Sequence, residues 1–247
     1  MKAAELFVKC LENESVEVVF GVPGEENVDI MDALLGSPIK FITTRHEQGA
    51  AFMADVYGRL TCKAGVCLST LGPGATNLIT GVADADMDRA PVVAIAGQGA
   101  TTRMHKESHQ ILDLVNMFEP ITKYATQIRE PEIVSEIVRK AFKVAQTEKP
   151  GACFIDFPEN IAAAEIDGKH PIEVQKAYTS TPPDLKIAQA AHIISHAKCP
   201  IILAGKMENP DVWEGRQDGK PQGRNHVTAQ SIKFLPGGPR TGETGEP

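Results

Sequence analysis

The sequence predicts an α/β fold, a parallel sheet with helices on both faces in a Rossmann-like three-layer arrangement, followed by an incomplete second α/β domain. Three observations lead there. Short β-branched apolar runs recur along the chain, helix-like segments separate them, and small or glycine-rich loops follow four of the runs. Alternation of this kind is the signature of a parallel sheet covered on both faces.

The runs are "VEVVF" with its core at 17–20, "KFITT" (40–44), "GVCLST" (65–70), "PVVAIAG" (91–97), "ITKYAT" (121–126) and "ACFIDF" (152–157). Helical spacing of apolar residues falls near 2–13, 27–35, 46–61, 75–88 and 131–146. These elements make a first domain over 1–168. A polar, proline-rich linker, 169–183, comes next, and then 184–207 reads as one helix and one buried strand, the start of a second α/β domain. From 208 to 247 the chain is rich in Gly, Pro and charge, and composition predicts an irregular or disordered tail.

Composition narrows the functional classes. The formal net charge is −7, which argues against nucleic acid as a partner, and 42% hydrophobic with 23% charged residues is ordinary for a soluble domain. No apolar run is long enough to span a bilayer, so no membrane partner is expected. The five cysteines include no C-x-x-C pair and read as small core residues of a protein in the cytoplasm.

Ligands of open α/β sheets collect at the carboxyl ends of strands. The loops there are "GVPGEEN" (21–27), "RHEQGAA" (45–51), "LGPGATN" (71–77) and "GQGATTR" (97–103). None carries a P-loop or the dinucleotide fingerprint, which disfavours a dinucleotide-binding domain. Glu47 is the acid set immediately at a strand-to-helix junction. It reads either as a first-turn glutamate favoured by the helix dipole or as a functional carboxyl. Ala50, Ala51, Ala54 and Gly58 follow it, a small face that packs tightly and would hold a carboxyl out of water. The spaced acids "DADMD" (84–88) lack the rest of a calcium loop and read as a helix-end acidic patch. The His105/His109 and His192/His196 pairs have no third ligand, so no metal site is expected on this chain.

Four stretches, "FGVPGEENVDIMDAL", "RHEQGAAFMADVYGRLT", "GVCLSTLGPGATNLITGVADADMDRAPVVAIAGQ" and "HQILDLVNMFEPITKY", together resemble the N-terminal, pyrimidine-binding domain of thiamine diphosphate enzymes of the acetolactate synthase-like kind. The resemblance covers roughly 1–165, and 184–206 resembles the start of that family's central domain, so the chain reads as truncated within it. It implies a 2-keto acid carboligase or decarboxylase acting on a substrate such as pyruvate, inactive as this portion alone. Glu47 would hydrogen-bond N1′ of the cofactor's aminopyrimidine and favour the imino tautomer that removes the thiazolium proton. Val22, Pro23 and Gly24 would lie beside the pyrimidine, Pro73 and Asn77 would add cofactor contacts, and Gln110 would be an active-site glutamine or else a polar residue at a helix start.

The family holds the diphosphate and Mg²⁺ through a G-D-G motif in a C-terminal domain. Here "IDGK" (166–169) and "QDGK" (217–220) lack its first glycine. The resemblance therefore implies thiamine diphosphate as cofactor with Mg²⁺ held by a domain absent from this chain; FAD is left open. It also implies a homodimer, a homotetramer or pairing with a longer subunit. A non-catalytic chain that pairs with full-length subunits is the alternative.

Overall fold

The computed structural model describes residues 1–106, 108–147, 149–175 and 182–198, and the strands at 201–207, 211–214, 221–224 and 227–234. Contacts divide the chain into two units, Met1–Tyr178 and Thr179–Pro247.

The first unit is built on a six-stranded parallel sheet. Its strands are β1 (Val18–Gly21), β2 (Lys40–Thr43), β3 (Gly65–Ser69), β4 (Val92–Gln98), β5 (Tyr124–Gln127) and β6 (Ala152–Pro158). The spatial order is β2-β1-β3-β4-β6-β5, with every neighbouring pair parallel. All six predicted runs are strands of this sheet. Every residue of β3, β4 and β6 is buried, as expected of central strands covered on both faces.

The helices are α1 (Ala3–Asn13), α2 (Val28–Leu35), α3 (Glu47–Thr61), α4 (Pro73–Met87), α5 (Leu114–Phe118), α6 (Val134–Gln146) and α7 (Glu159–Ala162). Strand alternation sorts the core into two layers. Val93 and Ile95 of β4 pack with α1, α2, α6 and α7, through residues such as Phe7, Ile30, Phe142 and Ile161. Val92, Ala94 and Ala96 pack with α3, α4 and α5, through Ala51, Ala54, Leu78 and Phe118. The short α5 and α7 carry too few residues for a periodic pattern to announce them.

The second layer is thin because its helices approach closely. A Cβ on Gly81 of α4 would lie 2.6 Å from the Ala51 Cβ of α3, and one on Gly58 of α3 would lie 2.5 Å from the Pro91 carbonyl oxygen. Arg59 fastens the far ends of the same two helices: it bonds Asp55 at 2.9 Å, Asp84 at 2.9 Å and Asp88 at 2.6 Å. Two acids of the "DADMD" patch are thus partners of an arginine. Of the cysteines, Cys10, Cys67 and Cys153 are buried as predicted, whereas Cys62 is exposed just past α3 at a left-handed φ of 57°; Cys199 lies outside the described residues.

The second unit contains α8 (Asp184–His196) and the strands β7 (Ile201–Met207), β8 (Asp211–Glu214), β9 (Pro221–Arg224) and β10 (Val227–Phe234). β7 pairs antiparallel with β10, and β8 with β9. This differs from the irregular tail predicted for 208–247. Between Ala229 and Ser231 the register shifts by one residue. Such a bulge breaks strict two-residue alternation and hides the strand from sequence patterning.

The close approach of α3 and α4 gives a paired expectation. Gly81→Ala lowers the unfolding free energy by about 1–3 kcal/mol through overpacking. Gly49→Ala, whose added Cβ meets nothing within 4 Å, leaves it unchanged or raises it by about 0.5–1 kcal/mol. Urea unfolding of the two variants beside the parent checks both signs.

Candidate active site

Strand order creates a crevice between β1 and β3. The chain leaving β1 enters α2 on one face of the sheet, and the chain leaving β3 enters α4 on the other. Where successive connections diverge in this way, the carboxyl ends of the strands leave room for a ligand.

The loop after β1 continues the ladder through a Val22 N–H bond to the Leu68 carbonyl at 3.2 Å. Gly24 is extended, with φ −149°, so its glycine answers to space: a Cβ there would lie 2.4 Å from the Thr70 Cβ and 2.7 Å from its Oγ1. Its N–H donates to Asn27 Oδ1 at 3.0 Å. Thr70 in turn donates from Oγ1 to Glu26 Oε2 at 2.7 Å, and Glu26 is buried. Sequence reasoning missed both Thr70 and Glu26. Thr70 closes a strand-end run, and that position was its only signal.

Glu47 opens α3, with His46 as N-cap accepting the Gln48 N–H on Nδ1 at 3.2 Å. Asn77 of α4 donates from Nδ2 to Glu47 Oε2 at 3.0 Å. Glu47 Oε1 lies 3.5 Å from where a Gly74 Cβ would stand and has no partner among the described residues. One carboxylate oxygen is therefore anchored and the other is available, beside the point where Gly74 packs on Thr70. Glu47 is half-buried, less sealed from water than its small surroundings predict, because the small residues contact α4 and the sheet while the helix start stays at the crevice mouth.

Gln110 comes to the same edge. Gly72, at φ +56°, would place a Cβ 2.7 Å from the Gln110 Cβ and 2.7 Å from its carbonyl oxygen. Gln110 has a left-handed φ of 54°, a conformation uncommon for a non-glycine residue and frequent at functional sites. Gln110 and Pro73 are exposed, and Val22 and Asn77 are half-buried. The structure thus joins Gly24 to Thr70, Thr70 to Gly74, Gly74 to Glu47, Glu47 to Asn77, and Gln110 to Gly72 beside Pro73. His105 and His109 are exposed.

A third polar residue escaped the sequence reading. Asp156, inside the apolar run of β6, is 1% exposed. Its Oδ2 accepts from Gln127 Nε2 at 2.7 Å and from Gln98 Nε2 at 3.4 Å. Burial pushes its carboxyl up to about 7, against the two amide donors that favour the ionised form. Burial likewise pushes the Cys67 and Cys153 thiols to about 12, which makes both poor nucleophiles at neutral pH.

Comparison with known proteins places the chain in a family. Residues 1–117 match the family described as thiamine pyrophosphate enzyme, N-terminal TPP binding domain. The chain is 43% identical over 211 residues to the probable acetolactate synthase large subunit of Methanocaldococcus jannaschii, covering 83% of this chain and 36% of that protein. It is 39% identical over 230 residues to the catabolic acetolactate synthase of Raoultella terrigena, covering 91% and 41%. Against the acetolactate synthase of Bacillus subtilis it is 40% identical over 204 residues, covering 83% and 36%. The chain therefore belongs to the thiamine pyrophosphate enzymes, and within them to the acetolactate synthase-like family. It spans between about a third and two-fifths of the length of these relatives. Among the described residues, no helix is long and apolar enough to cross a membrane.

Asp156 sets a pH dependence of stability. Its folded pKa, about 7, lies above the ordinary 3.8, so the folded chain binds the proton more tightly than the unfolded chain does. Stability is greatest below the ordinary value and falls as pH rises toward about 7. In Asp156→Asn this fall is absent. The variant gains on the parent by on the order of a few kcal/mol across that window, read from urea midpoints at successive pH values.

Proposed function

We propose that the first unit supplies the pyrimidine-side half of the active site of a thiamine diphosphate-dependent, acetolactate synthase-like carboligase or decarboxylase acting on a 2-keto acid such as pyruvate. The observation that carries this reading is the Glu47 carboxyl at the β1/β3 crevice, with one oxygen held by Asn77 and the other free over Gly74.

The residues present fit an aminopyrimidine. Gly24 and Gly74 stand where any side chain would collide with Thr70, so the loops after β1 and β3 close tightly on that residue and leave the Glu47 carboxyl as the polar group offered to a ring. Glu47 Oε1 is placed to share a proton with a ring nitrogen, while the Asn77 bond fixes which oxygen does so. Val22, Pro23 and Gly24 form one wall, Pro73 the edge beside the Gly72 turn, and Gln110 a polar group at the mouth for the reacting acid. When bound, the cofactor supplies the carbanion chemistry that the side chains of this chain lack. The chain's own contribution is to position the ring and to hold a proton at Glu47.

The diphosphate and Mg²⁺ half of the site belongs, in this reading, to a segment carrying the G-D-G motif that this sequence lacks. Assembly with a second copy or a longer subunit would bring it. The surface suited to that docking is the outward stripe of α3, where Phe52, Met53, Val56 and Leu60 are exposed. The stripe equally suits the non-catalytic reading, in which this chain only pairs with full-length subunits; cofactor-dependent turnover separates the two.

The test replaces the corresponding segment of the Bacillus subtilis relative with residues 1–165 and follows acetolactate formation from pyruvate. Turnover that requires thiamine diphosphate is expected, and Glu47→Gln lowers it by about 10²–10⁴-fold, the usual contribution of a positioned acid–base group. Undiminished turnover in that variant overturns the role given to Glu47.

A further inference from the structure

The sheet has a second point of divergence. β4 and β6 are neighbours, yet the chain leaving β4 leads to α5, whose Leu114 and Phe118 pack in the α3/α4 layer. The chain leaving β6 turns into α7, whose Ile161 and Ala162 pack in the opposite layer. A cavity of about 590 Å³ opens at these strand ends, and none of the residues gathered around Glu47 lines it. Its size falls within the usual range for small-molecule sites, roughly 300–1,000 Å³.

Asp156 lines this cavity and is almost wholly buried. Its Oδ2 is engaged by the Gln127 and Gln98 amides, but its Oδ1 has no hydrogen-bond partner. A buried carboxyl oxygen left unpaired is uncommon and costly in a folded protein. It becomes reasonable where a ligand completes it.

We infer that this cavity is a second ligand site, separate from the Glu47 crevice, and that it takes a small keto or hydroxy acid whose carboxylate meets Arg129 and whose neutral oxygen meets Asp156.

The wall chemistry selects that class. Arg129 lines the cavity, is exposed and makes no salt bridge among the described residues; its planar fork matches a carboxylate in two-pronged fashion. Leu112, Leu114 and Val115 line the same cavity and suit a short carbon chain. Asp113 acts on Asp156 as a nearby negative charge, which disfavours a second carboxylate at that end and favours a carbonyl or hydroxyl. Lys106, between β4 and α5, adds positive charge to the wall. Glu159 of α7, the acid on the other side, is occupied by Arg103 at 2.9 Å. Below about 7 the Asp156 carboxyl carries a proton and donates it to the ligand's oxygen.

Titration calorimetry on the full chain tests this with pyruvate, propionate and inorganic phosphate as probes. Pyruvate is expected to bind with a Kd of roughly 1 mM or tighter at about pH 6, more tightly than propionate, which has no second oxygen, or phosphate. Its affinity falls about tenfold by about pH 8, following the protonated fraction of Asp156. Asp156→Asn, which keeps a neutral donor, binds at both pH values alike. Arg129→Gln, at an exposed position that does not threaten folding, weakens binding at least about tenfold, and Glu47→Gln leaves it unchanged. Absent binding, equal affinity for pyruvate and propionate, phosphate binding as tight as pyruvate, or loss of binding in Glu47→Gln would each overturn the assignment.

Discussion

The closeness of α3 to α4 is the constraint on which the candidate active site depends. Glu47 begins one helix and Asn77 lies in the first turns of the other, so their 3.0 Å hydrogen bond exists only if the two backbones nearly touch. Ala51 against Gly81 makes that approach, and Gly58 against Pro91 seats the same helix on the residue that leads into β4. At 3.6 residues per turn, Glu47, Ala50, Ala51, Ala54 and Gly58 share a face. The small residues that look like filler in the sequence are therefore the spacing device for a carboxyl at the end of the same stripe.

A strand end can carry a polar group at little cost because the chain turns there and water is near. Glu47 uses this arrangement, half-buried with one oxygen free. Asp156 does not, for it lies within β6 and is buried, and two glutamine amides compensate it only partly. The two carboxyls thus lie in opposite regimes of solvation on one sheet. Glu47 depends on a neighbouring amide for orientation, whereas Asp156 responds to burial, which stabilises its protonated form near neutral pH.

These differences explain what was legible in the sequence. The six strands were readable because parallel strands buried on both faces are continuous apolar runs, and α3 and α4 were readable from their spacing. Glu47 stood out as an acid where a strand ends. Asp156 did not, since "ACFIDF" reads as a core strand and nothing local says that Gln98 and Gln127, 58 and 29 residues away, converge on it. Thr70 was invisible for a similar reason: its partners come from the loop after β1 and from α4, and only the sheet order brings them together. The strand at 227–234 was hidden by one extra residue in its register.

One helix, finally, answers two demands on opposite faces. The inner face of α3 is small so that Glu47 can meet Asn77. Its outer face carries Phe52, Met53, Val56 and Leu60, all exposed and falling together on the helical wheel. A helix with apolar residues on both sides is ordinarily buried on both sides, and this one is buried on one. Covering the outer stripe would remove apolar surface from water and hold α3 more rigidly against α4. Because Glu47 is the first residue of that same rigid element, its orientation would sharpen with it. On the function proposed above, the half-exposed carboxyl and the bare stripe would form a single arrangement: the chain sets the position of the acid, and association at α3 would add the rigidity that such chemistry needs.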